Sequence, residues 1–476
     1  MRLTKICATI GPATESEAAL VALVLAGMDV ARLNFSHGDL EAHARVVQRL
    51  RKAARKADRP IAILQDLQGP RIRVGKLAGG GLDLARGDRL LLSGRSSPVR
   101  GKEGPVPIPV TYRKLPQEVL PGQRILLKDG TIQLRALSSG PSGLLAEVLS
   151  GGRLTSGAGL NAPDSVLDVP ALTRRDRNHL LAGAEMGIDA VALSFVRDRQ
   201  DIVRARRILQ GAGRKSQIVA KIERQEAIEH LEGILLEADG VIVARGDLGV
   251  ECSLEAVPLL QKEIISRALA SSCFSMTATQ MLESMTVNPT PTRAEVSDVA
   301  NAILEGSDAI MLSGETAVGA HPVKAVETMD RIARKIEAGA RGSFHADALA
   351  NSRPDEFLNA LARSATELAL YSGAVALVAF THEGAVAGLL SHCRPGLPIF
   401  AFTGSEEVCR RLAMYRGVRA RKIREGRTLE GLFDRGMKEL QKEGLVRQGD
   451  VLVAVGGRWM RHGAANTLKV CRVSAP

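Results

Sequence analysis

Gln217-Ile218-Val219-Ala220-Lys221-Ile222-Glu223 and, downstream, Gly240-Val241-Ile242-Val243-Ala244-Arg245-Gly246-Asp247 decide how the rest of this chain is read. Both are short runs of β-branched and small apolar residues, the pattern of a strand buried on both faces. Each run ends in charge. Side chains two apart in a strand share a face, so Lys221 and Glu223 point the same way while Ile222 turns aside. The interval from Glu223 to Asp247 is the length of one strand–helix–strand unit, which brings Asp247 beside Glu223 at one sheet end. Two carboxylates and an ammonium at one rim suit a hard divalent cation together with a substrate oxyanion. A surface ion cluster is the plainer reading of the same residues.

Similar apolar runs recur on either side, each followed by a helical pattern. Lys5 to Thr9 is the first and Met28 to Asn34 the second, after a helix that Ser16 is placed to cap. Ile61 to Asp66 is the third, after a basic amphipathic helix from about Leu40 to Ala57. From about Arg71 to Leu167 the texture changes to Gly, Pro and Ser. Short runs such as Leu90-Leu91-Leu92 and Arg124-Ile125-Leu126-Leu127 are split there by Gly-Asp and Asp-Gly turns, which reads as an all-β insert. The α/β rhythm resumes near Thr173, which has capping-box spacing to Asp176. Further strands are expected at Ala190 to Ser194, Gln217 to Lys221, Gly240 to Arg245, Phe274 to Ala278 and Asp308 to Leu312.

Three strands before the insert and five after it make eight, with polar residues at their C-terminal ends: a (β/α)8 TIM barrel. An open doubly wound sheet is the competitor, but it does not focus so many strand ends on one mouth. Beyond a hydrophilic passage, Gly339 to Asp355, strands at Ala374 to Phe380, Pro398 to Phe402 and Asp450 to Val455 indicate an open α/β sheet. The expected domains are a catalytic barrel over 1–70 and 168–342, a small β-barrel lid over 71–167, and a C-terminal regulatory α/β domain over 343–476.

A length of 476 residues exceeds one ordinary core, and 3% aromatics means cores of Ala, Val, Leu and Ile. Met1 to Lys5 leads straight into a strand-like run without a signal-peptide pattern. The most apolar stretch, Ala18 to Gly27, is too short to span a bilayer. Cys7, Cys252, Cys273, Cys393, Cys409 and Cys471 are scattered, as suits reduced thiols, and form neither a disulfide framework nor a zinc motif. A cytoplasmic, membrane-free protein is expected. The net charge of +12 permits nucleic-acid binding, but basic runs such as Arg49 to Lys56 and Arg416 to Arg427 lack interleaved aromatics to stack bases. Attraction of small anions is the simpler account, and no nucleic-acid partner is expected.

The strand ends form a chemical inventory. Strands two, three, five, six, seven and eight lead into Arg32-Leu33-Asn34-Phe35-Ser36-His37, Asp66, Lys221 with Glu223, Gly246-Asp247, Thr277-Ala278-Thr279-Gln280 and Ser313-Gly314-Glu315-Thr316. Arginine, lysine, hydroxyls and a carboxylate-held metal around one cavity are the equipment of phosphoryl transfer, which is mostly positioning and charge neutralisation. No Walker-type loop and no protein-kinase loop set is present.

Thr4 to Pro12, Gly27 to Gly38, Ala244 to Gly249, Ala278 to Leu282 and Met311 to Thr316 together resemble pyruvate kinase, in the right order through the whole chain. The resemblance implies transfer of a phosphoryl group from phosphoenolpyruvate to ADP, giving ATP and pyruvate, in a homotetramer. It implies that Glu223 and Asp247 hold Mg²⁺ (or Mn²⁺), that Lys221 neutralises the phosphoryl group and the enolate oxygen, and that Arg32 clamps the phosphate. Amides near Arg245, Gly246 and Asp247, with the Thr279 hydroxyl, would orient the substrate carboxylate. Arg73, Asn34 and His37 would face the nucleotide, and a hydroxyl and water relay near Thr279 and Ser313 would protonate the enolate. Plainer roles exist: Thr279 and Ser313 as helix N-caps, Arg32 with Asp66 as a structural ion pair, His37 as a packed or exposed histidine.

The chain departs from the family in three places. Many members bind K⁺ at the positions of Asn34, Ser36, Asp66 and the next residue, in a block usually reading Asp-Thr-Lys-Gly-Pro-Glu. Here it reads Asp66-Leu67-Gln68-Gly69-Pro70-Arg71. Leu67 removes a hydroxyl and Arg71 installs a permanent cation, free to pair with Asp66 or the phosphate, so K⁺ is expected to be dispensable. Ala158 stands where the family carries a nucleotide-facing Lys. Thr381-His382-Glu383-Gly384-Ala385-Val386 replaces a phosphate-binding turn, so fructose 1,6-bisphosphate is not expected to activate, although another sugar phosphate or a nucleotide would find room nearby. A Mg²⁺-dependent C–C lyase or aldolase on a related barrel is the enzyme alternative, but it has no phosphoryl group for Lys221 and Arg32 to neutralise. A catalytically silent relative would lack a ligand, yet Lys221, Glu223 and Asp247 are all present.

Overall fold

The computed structural model describes residues 1–94, 104–340, 356–424, 428–457 and 465–474. Eight parallel strands close into a barrel in chain order: Lys5–Ile10, Val30–Asn34, Ala62–Asp66, Ala190–Leu193, Gln217–Ile222, Gly240–Ala244, Phe274–Ala278 and Ala309–Leu312. Closure is made by the first strand pairing with the eighth, Lys5 opposite Ala309 and Ala8 opposite Leu312, which excludes the open doubly wound sheet. Parallel strands covered by helices are buried on both faces, and the runs are correspondingly apolar throughout. Cys7, Leu64, Ala192, Val219, Ile242 and Met276 fill the barrel interior. Space there is tight: a Cβ on Gly240 would stand 2.5 Å from the Phe274 ring.

The helices begin where the sequence marks them. Ser16 accepts from the Ala19 amide before Glu17–Ala26, and Asp39 from the Ala42 amide before Leu40–Lys56. Thr173 and Asp176 form the reciprocal capping box, and Thr292 with Glu295 forms a second. Among the described residues no helix is long and apolar enough to cross a membrane.

The insert is a six-stranded sheet, ordered Leu160–Asn161, Arg124–Leu127, Ile132–Gly140, Gly143–Ser150, Arg89–Ser93 and Val106–Pro109. A ribbon of Gly81–Leu84 with Gly152–Thr155 packs on the same apolar core. The last sheet has five strands, in the order Val418–Lys422, Ile399–Thr403, Ala376–Phe380, Val451–Gly457 and the antiparallel Ala465–Arg472. Two of these escape the sequence reading. Val418–Lys422 lies in the basic tract, yet its Val418 and Ala420 are buried while Arg419 and Arg421 lie half-buried, the alternation of an edge strand. The passage expected between the barrel and this sheet falls mostly outside the described residues.

This last sheet docks on the N-terminal ends of the barrel strands, away from their chemical ends. Arg394 forms a forked, buried pair with Asp308 at 2.7 and 3.0 Å, and Lys5 Nζ donates to the Val418 carbonyl at 2.6 Å. Arg416 reaches Thr4, the Ser307 carbonyl and Glu337.

Candidate active site

Four charged side chains lock together at the C-terminal mouth. The Lys221 ammonium lies 2.7 Å from Glu223 Oε1 and 3.4 Å from Asp66 Oδ1, and it donates to Ser194 Oγ at 2.8 Å. Asp66 uses its other oxygen to accept from Arg32 Nε at 2.7 Å, while Arg32 Nη1 donates to Thr9 Oγ1 at 3.0 Å. Asp66 therefore bridges the two cations. The alternating side-chain directions of a strand put Lys221 and Glu223 on one face, and barrel closure brings Asp66 and Arg32 to them. Asp66 and Glu223 are buried, at 3% and 1% exposure, so their charges interact in a poorly screened setting.

Burial alone would lower the Lys221 ammonium, but Asp66, Glu223 and Asp247 outweigh it and raise it above the ordinary lysine range. Burial would likewise raise Asp66, yet Lys221 and Arg32 hold it below the usual carboxylate range. Burial pushes the Glu223 carboxyl up to about 7 against the pull of Lys221, and Asp247 adds to the rise. Lys221 and Arg32 balance Asp66 and Glu223, so Asp247 beside them leaves a surplus negative charge that fits a divalent cation.

Asp247 sits in the first turn of the helix Arg245–Glu251, half-buried, with no hydrogen bond or ion pair among the described residues. Among these residues no group of three or more His, Cys, Asp or Glu is gathered to hold a metal. A cation here would take carboxylates from Glu223 and Asp247 and complete its shell from substrate and water, the habit of Mg²⁺ rather than of a closed protein cage.

Next to this cluster the Gly246 amide donates to Thr279 Oγ1 at 3.0 Å, and the Thr279 hydroxyl donates to the Ala278 carbonyl at 2.6 Å. Thr279 has φ 71°, a left-handed conformation costly for a β-branched residue, and Gln280 follows at φ 55°. Thr279 is not a helix cap. Ser313 precedes the helix Gly314–Ala317 without capping it through its side chain; its amide donates to Glu315 at 2.6 Å. Arg245 is drawn away to Asp298 at 2.7 Å and to the Ala278 and Thr279 carbonyls.

Asn34 ends the second strand in register with Asp66, and its Oδ1 accepts from the Ser36 amide at 3.1 Å in the turn that follows. His37 is exposed, its carbonyl bound by the His43 ring, which stacks on Phe35. Leu67 is buried in the apolar layer behind the barrel with Leu180 and Leu193. The pairing of Arg71 with Asp66 that the sequence allowed does not occur. Asp66 is saturated by Arg32 and Lys221, and Arg71 is exposed. Arg71 instead lines a cleft of about 290 Å³ between insert and barrel, together with Arg73, Ala158 and Asp247. Arg73 Nη1 donates to the Gly157 carbonyl at 3.0 Å there.

Sequence reasoning missed Thr9 and Ser194, the hydroxyls at the ends of strands one and four. It also missed Phe195, whose amide donates to Glu223 Oε2 at 2.7 Å from a left-handed φ of 56°. The same rule that found the others, a polar residue ending an apolar strand, would have found both hydroxyls.

Comparison with known proteins gives the family. Residues 1–326 match the family model "Pyruvate kinase, barrel domain" and residues 359–471 match "Pyruvate kinase, alpha/beta domain". A pyruvate kinase of Agrobacterium vitis is 43% identical over 479 aligned positions, covering 100% of this chain and 97% of that one. One of Geobacillus stearothermophilus is 42% identical, with 99% of this chain and 81% of that one covered. The crystal structure of a pyruvate kinase from Cryptosporidium parvum superposes with a TM-score of 0.92 at 34% identity, covering 99% of this chain and 96% of that one.

Proposed function

The chain belongs to the pyruvate kinase family and is a phosphotransferase, and from that premise we propose how its residues divide the work and that it needs no monovalent cation. The reaction moves the phosphoryl group of phosphoenolpyruvate to ADP and yields ATP and pyruvate. The observation that carries the assignment of roles is the Lys221 ammonium, its side chain 12% exposed, held between Asp66 and Glu223 at the mouth, with Asp247 contributing to its charge state. A fixed ammonium in a poorly screened cavity stabilises charge that develops on the phosphoryl and enolate oxygens. Arg32, already oriented by Asp66 and Thr9, clamps the phosphate with the free face of its guanidinium. The Gly246 amide and the Thr279 hydroxyl, 3.0 Å apart, orient the substrate carboxylate. Ser313 and Thr279 belong to the hydroxyl and water relay that returns a proton to the enolate carbon. Mg²⁺ held by Glu223 and Asp247 supplies Lewis-acid polarisation of the substrate oxygens when bound.

Asn34, His37 and Arg73 serve the nucleotide side, and the insert acts as a lid over it. Independence from K⁺ rests on Leu67, which carries no oxygen in its side chain and is buried in apolar packing, and on the permanent charge of Arg71 at the cleft rim. Since Asp66 is occupied, Arg71 meets the phosphate side of the site. The last domain is regulatory, with no activation by fructose 1,6-bisphosphate. Glu383 in the replaced turn presents a carboxylate, paired to Lys215 at 2.8 Å, where a phosphate would have to enter. The assembly is a cytoplasmic homotetramer.

The decisive measurement is coupled ATP formation from phosphoenolpyruvate and Mg·ADP, with K⁺ or a bulky organic cation, in wild type and Lys221→Met. Wild type should work equally well in both salts, and the variant should lose at least about a hundredfold in kcat. Loss of most wild-type activity without K⁺ would remove the role given to Arg71. Fructose 1,6-bisphosphate should leave the half-saturating phosphoenolpyruvate concentration unchanged, and a marked fall would contradict the reading of Glu383.

A further inference from the structure

The cleft between insert and barrel is lined by three arginines and one lysine, and they are not equivalent. Arg73 is spent on the Gly157 carbonyl, and Arg224 pairs with Glu226 at 3.1 Å while lying over the Phe195 ring. Lys128 is exposed, with its ammonium 3.5 Å from the Arg153 carbonyl, the outer limit of a hydrogen bond, and with no ion pair among the described residues. Asp129 beside it faces the same cleft and offsets part of its charge.

The position of Lys128 relative to Ala158 is set by the sheet. Leu127 pairs with Leu160, and the Lys128 amide donates to the Gly159 carbonyl at 3.0 Å, so Lys128 and the Ala158-Gly159 turn form one edge of the cleft. Lys128 and Asp129 also adopt φ of 53° and 55°, ahead of Gly130 at 83°. A left-handed turn prefers Gly, Asn or Asp, so the turn geometry by itself does not call for a lysine at this position.

We infer that the Lys128 ammonium is the insert's contact to the phosphates of ADP, supplying from the neighbouring strand end the positive charge that Ala158 lacks. This rests on the phosphotransferase reading above. A lysine on the insert, facing the mouth where Arg32 and Lys221 hold the phosphoryl donor, meets the acceptor's phosphates from the opposite side. Recognition is by charge, so an arginine would do nearly as well as a lysine.

Steady-state kinetics and direct titration with Mg·ADP test this in Lys128→Asn and Lys128→Arg. Asparagine tolerates the left-handed turn, so it removes the charge without disturbing the insert. The expected result for Lys128→Asn is a rise of about tenfold in KM for ADP and in the Mg·ADP dissociation constant, with KM for phosphoenolpyruvate unmoved. Lys128→Arg should stay close to wild type. An unchanged KM for ADP in Lys128→Asn, an equal rise in KM for both substrates, or the same loss in Lys128→Arg would each overturn the role of Lys128 while leaving the activity assignment standing. A wild-type protein that forms no ATP would overturn both.

Discussion

At the scale of single residues, the mouth stores strain beside its charges. Thr279 holds a positive φ so that its hydroxyl meets the Gly246 amide, and Phe195 does so where its amide meets Glu223. Such conformations cost on the order of 1–3 kcal/mol and persist where the surroundings impose them. Thr279→Gly should therefore keep or raise the melting temperature while lowering kcat/KM for phosphoenolpyruvate by about tenfold or more. Thermal unfolding and steady-state kinetics on the same preparation check both halves. Lys221 with Glu223 was legible because two residues apart on a strand always share a face. Asp66 as the bridge between Lys221 and Arg32 was not, since that contact depends on three strands meeting at the mouth.

At the scale of elements, the apolar runs and their caps carry most of the local information. Thr173 with Asp176 reads as a capping box in the sequence and is one in the structure. The Val418–Lys422 strand shows the opposite case. Its arginines suggest a solvated tract, and only the neighbouring Ile399–Thr403 strand turns the buried Val418 and Ala420 into evidence for an edge. Gly240 against Phe274 is a tight packing constraint inside the barrel wall. Gly240→Ala should push the ring off its position and lower stability by about 1–3 kcal/mol, as overpacked cores do, measured by urea denaturation.

At the scale of the whole molecule, the last domain and the barrel share buried charge. His392 lies in this region beside Asp308 and Arg394, fully packed, with Tyr415 edge-on to its ring and Nδ1 without a partner. Burial lowers it to about 4 from an ordinary 6.5, with Asp308 opposing and Arg394 assisting. The unfolded chain then takes up a proton before the folded one does, so stability falls as pH falls from 6.5 to about 4. The loss should be on the order of 1.4 kcal/mol per pH unit in that window. His392→Phe should flatten this limb of the stability–pH curve; an unchanged slope would show that other groups set it.

What the amino-acid order determined alone is what depends on neighbours in the chain: eight apolar strands, the helices between them, the caps, and a charged or hydroxylic residue at most strand ends. Those follow from periods of two and 3.6 residues, which hold whatever the chain packs against. Tertiary structure alone decided that Asp66 takes Arg32 and Lys221 and leaves Arg71 to the cleft, that Phe195 lends its amide to Glu223, and that Lys128 stands at Ala158's side. Each of these joins residues far apart in the chain, and their distance is fixed only when the barrel closes and the insert folds back over its mouth.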